Sequence, residues 1–171
     1  MKSALTPHLT EEDFQEGLVQ ARLSKRHRHT RILHNPGDEF NRAVNFMLED
    51  SYMRPHLHPG VEKIENICLI QGKIVMLFFD DQGIVRSCKV LEDGGEEMIV
   101  VPAFTWHTYV ILSKFAITYE TMMGRYEPTT WKRLAEYSCG EDSSESDAYL
   151  RSLKKEVSRR IAEGATRVTE N

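Results

Sequence analysis

Cysteine is scarce in this 171-residue chain. Cys68, Cys88 and Cys139 are the only three, odd in number and without metal-ligand spacing. That excludes a disulfide-framed scaffold, and the expectation is reduced thiols in a cytoplasm. Long apolar runs are missing too: no stretch approaches the roughly 18 residues of a membrane span. The opening residues, MKSALTPHLTEED, lack the apolar stretch of a signal peptide. There is no basic excess. With 22 Lys and Arg against 26 Asp and Glu, the formal net charge is −4, which argues against nucleic acid as a partner. The one basic run, Lys25 to Arg31, is short and has no interleaved aromatics to stack on bases. No internal repeat is visible.

What is present is the composition of an ordinary globular domain, 40% hydrophobic and 28% charged. Three parts are expected. Residues 1–29 form a helical and basic segment. Thr10 is its N-cap candidate, Asp13 stands at the capping-box position, and Phe14, Leu18 and Ala21 recur at helical spacing. The basic run that follows, with His27 and His29, reads as a solvated surface. Residues 30–128 read as nine short strands between turn residues, the pattern of an antiparallel barrel or sandwich. Asp80-Asp81-Gln82-Gly83 is the clearest hairpin turn among them. Residues 129–171 begin as a polar loop and end in an amphipathic helix near 146–163. Its Leu150, Leu153, Val157 and Ile161 form an apolar stripe, and Gly164 is a stop. This helix packs on the barrel or on a partner.

The middle part carries ligand-type residues. His56-x-His58 places two imidazoles on one face of an extended segment, because side chains two apart on a strand leave the same side. Glu65 and His107, from other strands, complete a set of three nitrogens and one carboxylate for a divalent transition metal. Glu62 and Glu65 compete for the carboxylate position. A shift by an odd number of residues turns a strand residue to the other face, whereas loop length varies at little cost. The strand-side spacing therefore favours Glu65, on the same face as Ile67 and Leu69, with Cys68 and Ile70 pointing the other way.

These residues resemble the cupin family. Its first motif has His-x-His, a glutamate, six residues and a glycine; Glu65 and Gly72 match that last spacing, whereas Glu62 matches the usual distance from His58. Its second motif, Pro-x-Gly-x-x-His, matches Pro102 to His107 except that Phe104 stands at the glycine, and Ile111 stands where an asparagine is usual. A longer stretch, about 22–138, resembles the WbuC-type cupin-fold metalloproteins through ARLSKRHRHTRILHN, FNRAVNFMLEDSYMRPHLHP, IQGKIVMLFFDDQG, PAFTWHTYV and YETMMGRYEP. The resemblance implies a mainly β protein: a cupin double-stranded β-helix barrel (an antiparallel jelly roll) with N-terminal and C-terminal helices. It also implies one metal (Fe, Mn, Ni, Co or Zn) in the barrel mouth, a setting in bacterial surface-polysaccharide metabolism, and a homodimer through the outer face that carries Cys68 and Ile70.

Around the metal ligands His56, His58, Glu65 and His107, the expected acid–base candidates are His34 and Glu120. The expected substrate contacts are Arg42, Asn45, Trp106 and Tyr126. Arg42 offers a fixed fork to a phosphate or carboxylate. Arg42 and Asn45 differ in parity, so both face inward only across a bulge. The expected ligand is a small anionic sugar derivative, with isomerase, epimerase or dehydratase chemistry. A non-haem iron dioxygenase and a non-catalytic sugar-binding or sensing barrel are the alternatives. No nucleic-acid or membrane partner is expected.

Overall fold

The computed structural model describes residues 6–164. The ends of the expected terminal segments, residues 1–5 and 165–171, lie outside the described residues. Helix α1 (Glu11–Leu23) starts at Thr10, whose side chain accepts from the Asp13 N–H while the Asp13 carboxylate accepts from the Thr10 N–H. The reciprocal bonds satisfy donors that a helix start leaves open. Ten strands follow: β1 (Arg28–Ile32), β2 (Phe40–Leu48), β3 (His56–Leu57), β4 (Glu65–Gln71), β5 (Lys73–Phe79), β6 (Val85–Glu92), β7 (Met98–Val101), β8 (His107–Ile111), β9 (Phe115–Met123) and β10 (Arg133–Leu134). Helix α2 (Ser146–Ala162) closes the chain, and Gly164, at φ +69°, follows its last turn.

The strands form two antiparallel five-stranded sheets, in the orders β1-β2-β9-β4-β7 and β10-β3-β8-β5-β6. They face each other as an antiparallel jelly roll. Period-two alternation makes the barrel interior: Ile67 and Leu69 of β4, Ile74 and Met76 of β5, Ile111 of β8 and Ala116 of β9 pack together between the sheets. Each such side chain gains about 1.5–3 kcal/mol from full burial. Gly72 links the sheets at φ +99°, where a Cβ would stand 2.5 Å from the Phe115 carbonyl oxygen. Only glycine fits that turn.

The outer faces are covered by the helices. Leu18 and Ala21 of α1 pack on Val44, Phe46, Ile70 and Ile117. Gly17 allows the close approach, since a Cβ there would meet the Phe46 ring at 2.5 Å. Leu150, Leu153 and Val157 of α2 pack on Val75, Leu77 and Val110. Ile70, expected on the outer face offered to a homodimer, is packed under α1. Met98 and Val100 of β7 stay exposed beyond it.

Two expectations are corrected here. The basic run is not wholly solvated: Arg28 opens β1 facing inward, is 4% exposed, and bonds to the Tyr52 carbonyl and the Glu141 carboxylate at 2.7 and 2.6 Å. A guanidinium stays buried because its donors are committed. The polar stretch after Pro128 is not merely a loop: β10 pairs antiparallel with β3, and the Ala135 N–H donates to the Pro55 carbonyl. The segment around Glu127 to Ala135 therefore straps the barrel mouth.

Candidate metal centre

His56 pairs directly with His107 across β3 and β8, and His58 follows two residues on. Glu65 reaches in from the opposite sheet, at the start of β4. The ring nitrogens offered by His56, His58 and His107 lie within 4.8 Å of one another. The Glu65 Oε2 atom is 3.1 Å from His107 Nε2 and 3.8 Å from His58 Nε2. All four residues are buried. Glu62 is exposed, as strand parity requires.

The donor set fits a divalent metal. Each histidine directs Nδ1 at a backbone carbonyl: His56 at Arg54 (3.0 Å), His58 at Trp131 (2.9 Å) and His107 at Thr105 (2.8 Å). These bonds place a proton on each Nδ1 and leave Nε2 as the atom a metal would take, His107 Nε2 meanwhile bonding to Glu65 Oε2. The buried His58 Nε2 has no hydrogen-bond partner, an orphan that a bound cation would satisfy. Burial, then the charges of His107, Lys132 and His58, hold the His56 pKa well below its usual value, so His56 is in the neutral form a metal requires. Burial also lowers His58, against the opposing charge of Glu65. At His107 the bond and charge of Glu65 outweigh burial and raise the pKa. Burial opposes ionisation of Glu65, but His107, His58 and Lys132 together lower its pKa.

The cluster opens into a cavity of about 580 Å³ between the sheets. His34, Arg42, Asn45, Glu120 and Tyr126 all line it. The β2–β9 pairing runs without a bulge from Phe40 to Leu48, so parity holds. Asn45 is buried and faces inward, where its Oδ1 accepts from Thr30 Oγ1 at 2.5 Å. Arg42 is exposed at the rim and donates to the Leu33 carbonyl at 2.8 Å. The His34 Nδ1 accepts from the Arg42 N–H at 3.0 Å. Tyr126, half exposed, packs edge-on to Trp131. Glu120 accepts from the Thr118 hydroxyl at 2.9 Å. Burial, and then the negative charge of Glu65, push its pKa up to about 7, against the hydrogen bonds from Thr118 and Asn45. Trp106 is placed elsewhere. One residue before His107, it turns to the other side, donates to Asp81 at 3.0 Å, packs against Tyr137 and takes Arg133 over its ring.

Sequence reasoning missed the strap and the polar inner wall. Besides holding His58 through the Trp131 carbonyl, the strap brings Lys132 into the cavity lining. Among the described residues no carboxylate forms a salt bridge with Lys132. The protein around its end lowers its pKa, and Arg28 and Arg26 add to that against Glu141. Arg26, Arg28, Thr30, Asn41 and Tyr109 also line the cavity. A strand reading places such residues inward or outward, but their meeting depends on pairings made across distant parts of the chain.

A family described as Domain of unknown function (DUF6016) matches residues 9–91. The match takes in His56, His58 and Glu65 but stops before His107. No curated protein matches. Among solved structures, CapF with the inhibitor 3-isopropenyl-tropolone is 18% identical at a TM-score of 0.53, covering 63% of this chain and 31% of that one. The capsular polysaccharide assembling protein CapF from Staphylococcus aureus is 17% identical at a TM-score of 0.50, covering 62% and 33%. The Cnp3 cupin domain of Schizosaccharomyces pombe is 18% identical at a TM-score of 0.45, covering 57% and 64%. The chain thus spans about a third of the length of the CapF chains it matches. Likeness at these identities is likeness of fold.

Proposed function

We propose that the protein is a WbuC-type metal-binding cupin that acts in the cytoplasm on a small anionic sugar derivative of surface-polysaccharide metabolism, by isomerase, epimerase or dehydratase chemistry. The observation that carries this reading is the set of three Nδ1-anchored histidines and Glu65 at the head of a cavity large enough for a sugar. Pockets of about 300–1,000 Å³ are usual for small-molecule ligands. A bound divalent ion would supply Lewis acidity toward a carbonyl or hydroxyl oxygen. The chain's own residues supply the rest. Lys132 and Arg42 attract and orient an anionic group, the strap and Tyr126 screen the mouth from water, and Glu120 holds or releases a proton near neutral pH. Capsular polysaccharide assembly, named for the S. aureus structure, is in keeping with this reading.

The test is calorimetric titration of metal-loaded protein with nucleotide-linked deoxysugars and their uncharged counterparts. A charge-assisted contact contributes roughly 1.5–3 kcal/mol, so Lys132→Ala and Arg42→Ala should each weaken binding of the charged ligands by at least about ten-fold, with metal content unchanged. Equal binding of charged and neutral ligands would overturn the anionic reading. Oxygen consumption by iron-loaded protein would point instead to a dioxygenase.

A further inference from the structure

Among the described residues, five buried side-chain polar atoms have no hydrogen-bond partner, and three of them belong to residues lining the metal cavity. His58 Nε2 is one, and a metal bound by the histidines would account for it. The other two are Asn41 Oδ1 and the Tyr109 hydroxyl. Asn41 is 6% exposed and Tyr109 4%. A buried polar group left unpaired costs about 1–3 kcal/mol, and such groups call for an explanation at each site.

The two orphans stand on opposite walls. Asn41, on β2, is in register with Met122 of β9, which is in register with Glu65 of β4. It therefore shares the row of the carboxylate ligand. Its amide nitrogen donates to the Met122 and Gly124 carbonyls, which fixes the side-chain orientation and turns Oδ1 free as an acceptor. Tyr109 is two residues beyond His107 on β8, on the same face and one row further into the barrel. Neighbouring polar groups are already committed: Thr30 to Asn45, and Thr118 to Glu120. The inner wall thus carries one unpaired acceptor in the Glu65 row and one unpaired hydroxyl a row beyond His107.

We infer that Asn41 and Tyr109 form a hydroxyl-recognising subsite that selects a polyhydroxylated ligand, taking ligand O–H groups on both walls of the barrel. This rests on the proposed sugar-derivative reading and deepens it, since it names the part of the ligand recognised away from the metal. An acceptor facing a hydroxyl suits a ligand with several hydroxyls, each able to donate and accept. It does not suit an acyclic dicarboxylate or a hydrocarbon, which would leave the Asn41 oxygen unpaired.

Tyr109→Phe is the clean variant, because it deletes one atom that has no partner in the protein. The probes are aldose 1-phosphates, their monodeoxy analogues, the free aldoses and inorganic phosphate, titrated by calorimetry into cobalt-loaded protein. Wild type should bind at least one aldose 1-phosphate about ten-fold more tightly than inorganic phosphate. Tyr109→Phe should remove about five- to ten-fold of that advantage. Its phosphate affinity, metal content and melting temperature without ligand should not fall. If no aldose phosphate outbinds phosphate, or if Tyr109→Phe keeps the full advantage, the subsite is wrong while the anionic reading stands. If free aldoses bind with the same Tyr109 dependence and phosphate does not bind, the subsite stands and the anionic reading falls. If no probe binds, both fall.

Discussion

Glu120→Gln should change the pH dependence of folding in a direction and size that follow from its surroundings. Glu120 faces the cavity in register with Ala43 and Ile67. Burial, then Glu65, raise its pKa from 4.5 to about 7. The unfolded chain has no such cause, so its value there is the ordinary one. Between those two values the native state holds a proton that the unfolded state has released. A raised carboxylic acid therefore makes the native state more stable as pH falls, and less stable as pH rises through 7. With 1.36 kcal/mol per pKa unit, moving from pH 8 to pH 5 strengthens wild type by about 2.5 kcal/mol through this group alone. That figure is an upper bound, because cavity water screens the charge. Glutamine keeps the acceptor for Thr118 and cannot ionise. Urea unfolding of EDTA-treated protein at pH 8 and pH 5 gives the comparison, and other titrating groups cancel between the two proteins. Glu120→Gln should be more stable than wild type at pH 8, by about 1–2.5 kcal/mol, and nearly equal to it at pH 5. A difference between the proteins that is the same at both pH values would refute the argument.

Other consequences are as direct. Glu65 holds the His107 pKa above its usual value despite burial, so metal uptake must displace a proton; calorimetry in buffers of different ionisation enthalpy should show proton release, and tighter binding as pH rises from 5.5 to 7.5. No buffer dependence would contradict the ion-paired resting site. Glu141→Gln should destabilise the protein by roughly 2–4 kcal/mol in denaturant, because it leaves the buried Arg28 charge without its 2.6 Å partner; a loss under about 0.5 kcal/mol would show that this pair does not hold the Arg28 charge inside. Phe104 sits at φ +59°, exposed, where the cupin motif has glycine. Phe104→Gly should therefore leave stability unchanged or raise it by up to about 1 kcal/mol, with metal content kept, and a loss larger than that would mean the ring has a packing role. A homodimer through the exposed Met98 and Val100 face should sediment as such at tens of micromolar, and a monomer at that concentration would remove it.

Much of this architecture is legible in the sequence because alternation and capping are local signals. The nine strand segments all hold strands, though the segment around Tyr52 to His58 holds only the two residues of β3. Thr10 and Asp13 cap α1, and Glu65 faces inward with Ile67 and Leu69. The parity argument also separates the two expected contacts on β2: with no bulge, Asn45 is buried in the cavity wall and Arg42 is exposed at its rim. What escapes is non-local. β10 is two exposed residues, Arg133 and Leu134, with no apolar period to announce it. Its role comes from pairing with β3, some 75 residues away. Arg28 looks like one charge among many in a basic run, and its burial is explained by the Tyr52 carbonyl and by Glu141, which lies 113 residues away. Tyr109 sits in an apolar strand where a tyrosine reads as packing, and its free hydroxyl appears only when the facing sheet is in place.

The central claim is that His56, His58, Glu65 and His107 bind one divalent ion. Elemental analysis of purified wild type, His58→Ala, Glu65→Gln, Glu62→Gln and His29→Ala, prepared in parallel, tests it most directly. The account predicts close to one metal per chain in wild type, Glu62→Gln and His29→Ala, most of it lost in His58→Ala, and retention clearly weakened in Glu65→Gln. Equal loss from His29→Ala and His58→Ala, or greater loss from Glu62→Gln than from Glu65→Gln, would contradict it.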